Sequence, residues 1–256
     1  MTKIMGIINL TPDSFHAASR VQTEQAQERV LAMCAEGADI IDLGAVSTRP
    51  GAAPVSLQEE WRRLCPVVRH WDVGVPLSVD TTRAEIVRRV YDCTGPFLVN
   101  DISAGWDDPD MLATVGRLGL PFVAMHKRGG PRSMDSLTDY PEGVIPALLS
   151  YFTEFARRAE DCGMGEWVLD PGLGFAKTPE QNWEILERLE ELKAFGRPVL
   201  VGAADKRFTG GDTERAHRIA LQHGADILRV HDVAAARETI SRCRRALNSP
   251  VPPGDN

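Results

Sequence analysis

Short, nearly unbroken apolar runs alternate along the chain with longer stretches in which apolar residues recur every three or four positions. The short runs cover residues 3–9, 38–43, 75–79, 97–102, 121–126, 166–169, 198–202 and 226–230, and they are rich in Val, Ile and Leu with little alternation. That pattern predicts parallel strands buried on both faces. The amphipathic stretches predict helices over 24–36, 57–71, 83–93, 109–117, 142–161, 179–193, 213–223 and 233–247. Their ends carry suitable chemistry. Ser56 and Asp212 stand just before helical runs, where a side-chain oxygen satisfies a free N–H, and Gly37, Gly163 and Gly224 follow helix ends.

Eight strand–helix pairs in succession predict an α/β fold, a (β/α)8 TIM barrel, as a single domain over residues 1–256. A doubly wound open sheet is the main competitor. Its first turn usually carries GxGxxG, whereas the turn after Asn9 reads LTPDSFHAAS. No Gly/Ser-rich linker or charge run divides the chain, and residues 248–256 read as a frayed tail.

Composition narrows the function. With 43% apolar and 25% charged residues in 256, usage is that of an ordinary globular protein, not a disordered or collagen-like one. A net charge of −7 argues against bulk binding to nucleic acid or an anionic membrane. Five widely spaced cysteines without CxxC argue against a disulfide framework or zinc site. No apolar run reaches membrane-spanning length and no signal-peptide cleavage pattern is evident, so a cytoplasmic location is expected.

In a barrel, chemistry gathers at the C-terminal ends of the strands. Those positions hold Asn9, Asp42, Asp80, Asn100 with Asp101, His126, Asp170, Lys206 shortly after the seventh strand, and Arg229 with His231. Singly, each has a plain structural explanation. Asp80 reads equally well as a helix cap, and His126 reads better as a satisfied core histidine. Their concentration on one rim predicts a small-molecule site. Asp80, Asn100 and Asp170 offer acceptors and an amide to a flat heterocycle bearing several N–H groups. Lys206 could meet a ring carbonyl or ring nitrogen. Arg229 and His231, two apart on one strand, project to the same face and could hold a phosphate or pyrophosphate with the Asn9 loop. VSTRPGAAP (46–54) reads as a mobile functional loop, with a plain connection as the alternative.

Several stretches recur together in one known order: MGIINLTPDSF (5–15), STRPGA (47–52) with EEWRRLCPV (59–67), SVDT (78–81), NDIS (100–103), MHKRGGPRSM (125–134), LDPGLGFAK (169–177), VG…K (201–206) and ILRVHDV (227–233). In this the chain resembles the dihydropteroate synthase family of pterin-binding barrels, over nearly its whole length. The resemblance implies a transferase that condenses hydroxymethyl-dihydropterin pyrophosphate with 4-aminobenzoate, releasing dihydropteroate and pyrophosphate. It implies that Asp80, Asn100, Met125, Asp170 and Lys206 bind the pterin. Asn9, Arg229 and His231 would bind pyrophosphate, with Asn9 also beside Mg²⁺. Thr48, Arg49, Pro50, Phe175 and Arg207 would surround the aminobenzoate, and Asp80, Asp170, Lys206 and Arg49 would carry the catalysis. A homodimer and sulfonamide binding are further family expectations. Asp80 and Asp170 are expected to be ionised near neutral pH.

Three segments differ from the family's usual pattern: TPDSFHAASR for TPDSFSDGG, GAVST for GGEST, and ADKR (204–207) for SRKS. The alternatives are therefore a catalytically impaired pterin-binding paralogue and a pterin-dependent methyltransferase of the same barrel family. STRPGA favours the synthase over the methyltransferase.

Overall fold

The structure, a computed structural model, describes residues 2–11, 19–46, 54–130 and 133–248. Strands β1 (Lys3–Asn9), β2 (Ile40–Gly44), β3 (Leu77–Asp80), β4 (Leu98–Asp101), β5 (Phe122–Met125), β6 (Trp167–Asp170), β7 (Leu200–Val201) and β8 (Ile227–Val230) alternate with helices. The helices are α1 (Ser19–Glu36), α2 (Leu57–Val68), α3 (Ala84–Thr94), α4 (Met111–Leu118), α5 (Val144–Asp161), α6 (Pro179–Glu187), α7 (Thr213–Gln222) and α8 (Val233–Asn248). The strands pair in parallel in the order β6-β5-β4-β3-β2-β1-β8-β7. A parallel bridge between Leu169 and Val199 closes the ring. The expected barrel is the observed one.

Side chains alternate between the two faces of a strand, so register decides which residues share a layer. Met5, Ile40, Leu98, Val123, Leu200 and Ile227 form one apolar cluster, with Val168 packed against it. Residues from seven different strands can meet only inside the barrel, where they make its floor. The opposite strand faces, among them Ile41, Val79, Val99, Phe122 and Leu169, join the helices in a much larger cluster. Two residues beyond the floor, on the same inward faces, stand Asp42, Asn100, Met125, Asp170, Gly202 and Arg229. One pleat thus separates an apolar floor from a polar layer.

The caps anticipated from sequence are present. Ser56 Oγ accepts from Glu59 N at 3.2 Å and Asp212 Oδ1 from Arg215 N at 2.9 Å. Boundaries differ where proline intervenes. Strands expected to include Pro76, Pro121 or Pro198 begin one or two residues after it, because proline brings no N–H to the ladder. The helix expected over 179–193 ends at Glu187, and the chain continues after Arg188 as a 3-10 segment, Leu189–Phe195. Helix α8 runs through Asn248; the rest of the expected tail lies outside the described residues. No helix among the described residues is long and apolar enough to cross a membrane.

One buried group makes the fold acid-sensitive. His217 of α7 is buried and its Nε2 has no hydrogen-bond partner. Burial pushes its pKa down from 6.5 to about 4. Between those values the unfolded chain binds the proton and the folded chain does not, so stability rises with pH across the window and is lost as pH falls. Urea unfolding should show up to about 3 kcal/mol lost between pH 6.5 and 4, and a His217→Leu variant should lack that component. Equal acid sensitivity in parent and variant would assign the loss to other groups.

Candidate active site

The polar layer is organised by Asp42, which is fully buried. Its Oδ1 accepts from Ser78 Oγ at 2.6 Å, and its Oδ2 accepts from Asn100 Nδ2 at 3.0 Å and Arg229 Nε at 2.7 Å. Arg229 extends the chain of contacts by donating through Nη2 to Asp80 Oδ2 at 3.0 Å. Strands β2, β3, β4 and β8 are tied together at this one level. Burial works against the charge of Arg229, but Asp42 and Asp80 outweigh it and the pKa is raised. Burial also raises the pKa of Asp80, against the pull of Arg229, and nearby Asp42, Asp101 and Glu60 add to the rise. The expectation that Asp80 is ionised near neutral pH thus meets a pKa raised toward neutrality in the unliganded protein.

Asp170 faces this group from β6. Its Oδ1 accepts from Gly172 N at 2.8 Å, and its main-chain oxygen accepts from His126 N at 2.9 Å. Burial raises its pKa too, opposed by the Gly172 N–H and by Arg229, Lys206 and Lys177. Lys206 lies with Nζ 4.4 Å from the centre of the Phe175 ring, a cation–π arrangement. Its pKa is lowered by burial, with Asp170 and Asp80 restoring part of the shift. Gly174, at φ +77°, leaves room for this stem, since a Cβ there would stand 3.1 Å from Lys206 Cδ. Met125 is buried on the same inward face.

At the mouth, His231 Nε2 is 3.9 Å from Asp205 Oδ2, and the His231 carbonyl accepts from Arg29 at 3.0 Å. Asn9 Oδ1 and Asp80 Oδ2 lie 3.5 and 3.9 Å from the point that a Cβ on Gly44 would occupy, so both oxygens flank the same opening. Among the described residues no group of three His, Cys, Asp or Glu could hold a metal ion. A single amide oxygen at Asn9 fits Mg²⁺ carried by a ligand's phosphates, since Mg²⁺ keeps waters and takes few protein ligands in such sites. Arg207 is exposed on the 3-10 turn Arg207–Thr209. Thr48, Arg49 and Pro50 lie outside the described residues.

Asp80, Asn100, Met125, Asp170, Lys206 and Arg229 are thus brought together, with Asn9 and His231 at the mouth. Two rim candidates turn away. Asp101 accepts from Ser103 N and Gly105 N in its own loop at 2.7 and 2.8 Å, and His126 packs edge-on against Tyr151 of α5 with centroids 4.8 Å apart. Their parity is opposite to Asn100 and Met125, which is the signal that separates them. Asp80 does not cap α3, whose Ala84 N donates instead to Asp108 Oδ2 at 2.8 Å. Ser78 and Lys177, within motifs but without a role assigned from sequence, prove to be contacts of Asp42 and of the Asp170 turn.

A family model described as pterin binding enzyme matches residues 5–231. The dihydropteroate synthase of Synechocystis sp. is 40% identical over 251 residues, covering 91% of this chain and 86% of that protein. Some longer relatives are matched over only 29% to 49% of their length. Among solved structures, the Yersinia pestis dihydropteroate synthase in a sulfonamide drug complex has a TM-score of 0.88 at 33% identity, covering 97% of this chain and 95% of that one. The Xanthomonas albilineans dihydropteroate synthase with 4-aminobenzoic acid has a TM-score of 0.87 at 34% identity, covering 97% and 94%. Given that likeness in sequence and fold around a polar layer suited to a heterocycle, the chain belongs to the dihydropteroate synthase family of pterin-binding enzymes.

Proposed function

We propose that this transferase joins hydroxymethyl-dihydropterin pyrophosphate to 4-aminobenzoate, and that the inward polar layer is its pterin pocket. The observation that carries the reading is the set Asp80, Asn100, Asp170 and Lys206 gathered at the polar end of the barrel above an apolar floor. In the reaction the C–O bond between the pterin methylene and pyrophosphate breaks, the aminobenzoate nitrogen attacks the methylene, and the amine loses a proton. Positive charge developing on the methylene is stabilised by the carboxylates of Asp80 and Asp170, held in place before reaction. Asn100 and Lys206 fix the ring's orientation. Asn9 and His231 take the departing pyrophosphate, and Asn9 would hold the Mg²⁺ that neutralises its charge when bound. Phe175, Thr48, Arg49, Pro50 and Arg207 border the aminobenzoate, with Arg49 acting in the catalysis. A homodimer and a cytoplasmic location complete the reading.

Arg229 enters this reading in two capacities. Its Nε and Nη2 neutralise Asp42 and Asp80 beneath the ring, so its reach toward pyrophosphate is secondary to that pairing.

Pyrophosphate release should require both the pterin diphosphate and 4-aminobenzoate, and Mg²⁺ should strengthen it. Release from the pterin diphosphate that does not depend on 4-aminobenzoate would contradict the synthase reading, and no release beside intact pterin binding would indicate the impaired paralogue. Asp170→Asn sets an amide donor against a ring donor and should weaken pterin binding in calorimetry by ~1–3 kcal/mol; unchanged affinity would displace the pocket. His231→Ala should weaken pyrophosphate while sparing a pterin that lacks phosphate. Arg229→Ala should weaken both, because it leaves Asp42 and Asp80 unneutralised. Loss confined to pyrophosphate in the Arg229 variant would contradict the neutralising role.

A further inference from the structure

The turn that follows β6 is held by a buried lysine that the mechanism does not use. Lys177 is 8% exposed. Its Nζ donates to Gly172 O at 2.9 Å and Phe175 O at 3.0 Å, and it meets His126 Nδ1 at 3.0 Å. These three contacts match the three N–H donors of an ammonium, although burial pulls the Lys177 pKa down from 10.5 to about 7, with Asp170 opposing the fall. The two carbonyls lie three residues apart in the same turn, so the ammonium ties that turn across its middle and fastens it to the end of β5.

The turn has reason to need such a tie. Gly172, Gly174 and Ala176 stand at φ +67°, +77° and +50°, and the last is a left-handed conformation that costs a residue with a Cβ. Gly172 also passes so close to β5 that an added Cβ would lie 2.0 Å from His126 O. Tyr140 Oη donates to Ala176 O at 2.9 Å and supports the same backbone from outside. The His126 ring is lodged against Tyr151, whose hydroxyl donates to Met125 O at 3.0 Å. When Lys177 is protonated it donates to His126 Nδ1, which requires the imidazole proton to be on Nε2. Burial and the Lys177 charge hold the imidazole well below its ordinary pKa, in keeping with a neutral acceptor.

From this geometry we infer that Lys177 is a positioning residue for the arylamine half of the site, acting by holding the Phe175 backbone where its ring meets Lys206. The inference rests on the synthase reading above for the identity of that arylamine. The two ends of the turn differ in how much they depend on the tie. Asp170 is the last residue of β6, paired in register with Met125, and its main-chain oxygen is already bound by His126 N. Phe175 sits in the middle of the turn; its N–H donates to Gly172 O, the carbonyl that Lys177 also binds. Removing the ammonium frees two carbonyls that cluster on the arylamine side, while Asp170 keeps its strand pairing.

The test is Lys177→Met beside Lys177→Gln, which retains a donor amide. In Lys177→Met, KM for 4-aminobenzoate at saturating pterin diphosphate should rise about tenfold or more, the effect of losing a buried hydrogen bond to a charged donor. Calorimetric affinity for a pterin lacking phosphate should fall by less than about threefold, and Lys177→Gln should recover part of the KM. Amide hydrogen exchange should accelerate at 172–176 and stay unchanged in β6. Equal loss of both ligands, unchanged KM, or unchanged exchange in the turn would each overturn the proposal. If the parent forms no dihydropteroate, the synthase reading fails on its own, and the exchange pattern still decides whether Lys177 holds the turn. If Lys177→Met does not fold, Lys177→Gln takes the same measurements with the same deciding outcomes.

Discussion

A carboxyl group sealed inside a barrel needs donors to replace its lost water, and Asp42 is that group. Three donors from three other strands converge on it: Ser78 from β3, Asn100 from β4 and Arg229 from β8. Removing Ser78 takes the donor from Oδ1, and removing Asn100 or Arg229 leaves Oδ2 with one donor of two, a loss that in a buried site exceeds the bond's net worth when present. This interdependence places Asn100 and the Arg229 head at one height in the barrel. Through Arg229 it also places Asp80. The residues proposed to meet the pterin are therefore held chiefly by a residue beneath them.

The same constraint explains the electrostatics. The polar layer sits one pleat above an apolar floor, so burial raises the carboxyl pKa of both Asp80 and Asp170 and lowers that of Lys206. Each shift favours the neutral form of a group that lacks its water. A ligand offering N–H donors to the carboxylates and acceptors to the lysine restores the charged forms, so part of its binding energy returns what burial withheld. Burial thus makes the unliganded layer less favourable and the liganded one more specific. A stability optimum would fill those inward positions with Val or Leu, as the floor one pleat below does.

Much of this was legible in the sequence because the barrel's period is simple. Apolar runs without alternation gave parallel strands, and their polar terminal residues marked the rim. The inward set could have been sharpened by counting in twos from Ile40, Leu98, Val168 and Ile227, which leads to Asp42, Asn100, Asp170 and Arg229. That count also removes Asp101, and the same count from Val123 leads to Met125 and removes His126. Strand starts were less legible, because Pro76, Pro121 and Pro198 extend an apolar run without extending the ladder. Lys177 carried no signal of burial at all. A lysine after a glycine-rich turn looks solvated, and only the fold brings the Gly172 and Phe175 carbonyls and the His126 ring around it.

Among the described residues, the non-glycine positions with left-handed backbone are Ala104, Ala176 and Asp205. They fall in the loops after β4, β6 and β7, all at the C-terminal rim. At each, a Cβ costs energy that the helices and floor do not recover locally. Ala104 is spanned by the Asp101 carboxylate, which accepts from the N–H groups on either side of it at Ser103 and Gly105. Ala176 is spanned by Tyr140 and flanked by Lys177. Asp205 is 80% exposed in its side chain, and its Oδ2 lies 3.9 Å from His231 Nε2, at the mouth of the site. The first is held by buried hydrogen bonds and the second by a part-buried one from Tyr140, and their loops form walls. The Asp205–His231 contact is solvent-screened, and such a pair contributes about 0–1 kcal/mol. Among the described residues, the loop after β7, which delivers Lys206, is therefore held less firmly at its left-handed residue than the loops after β4 and β6.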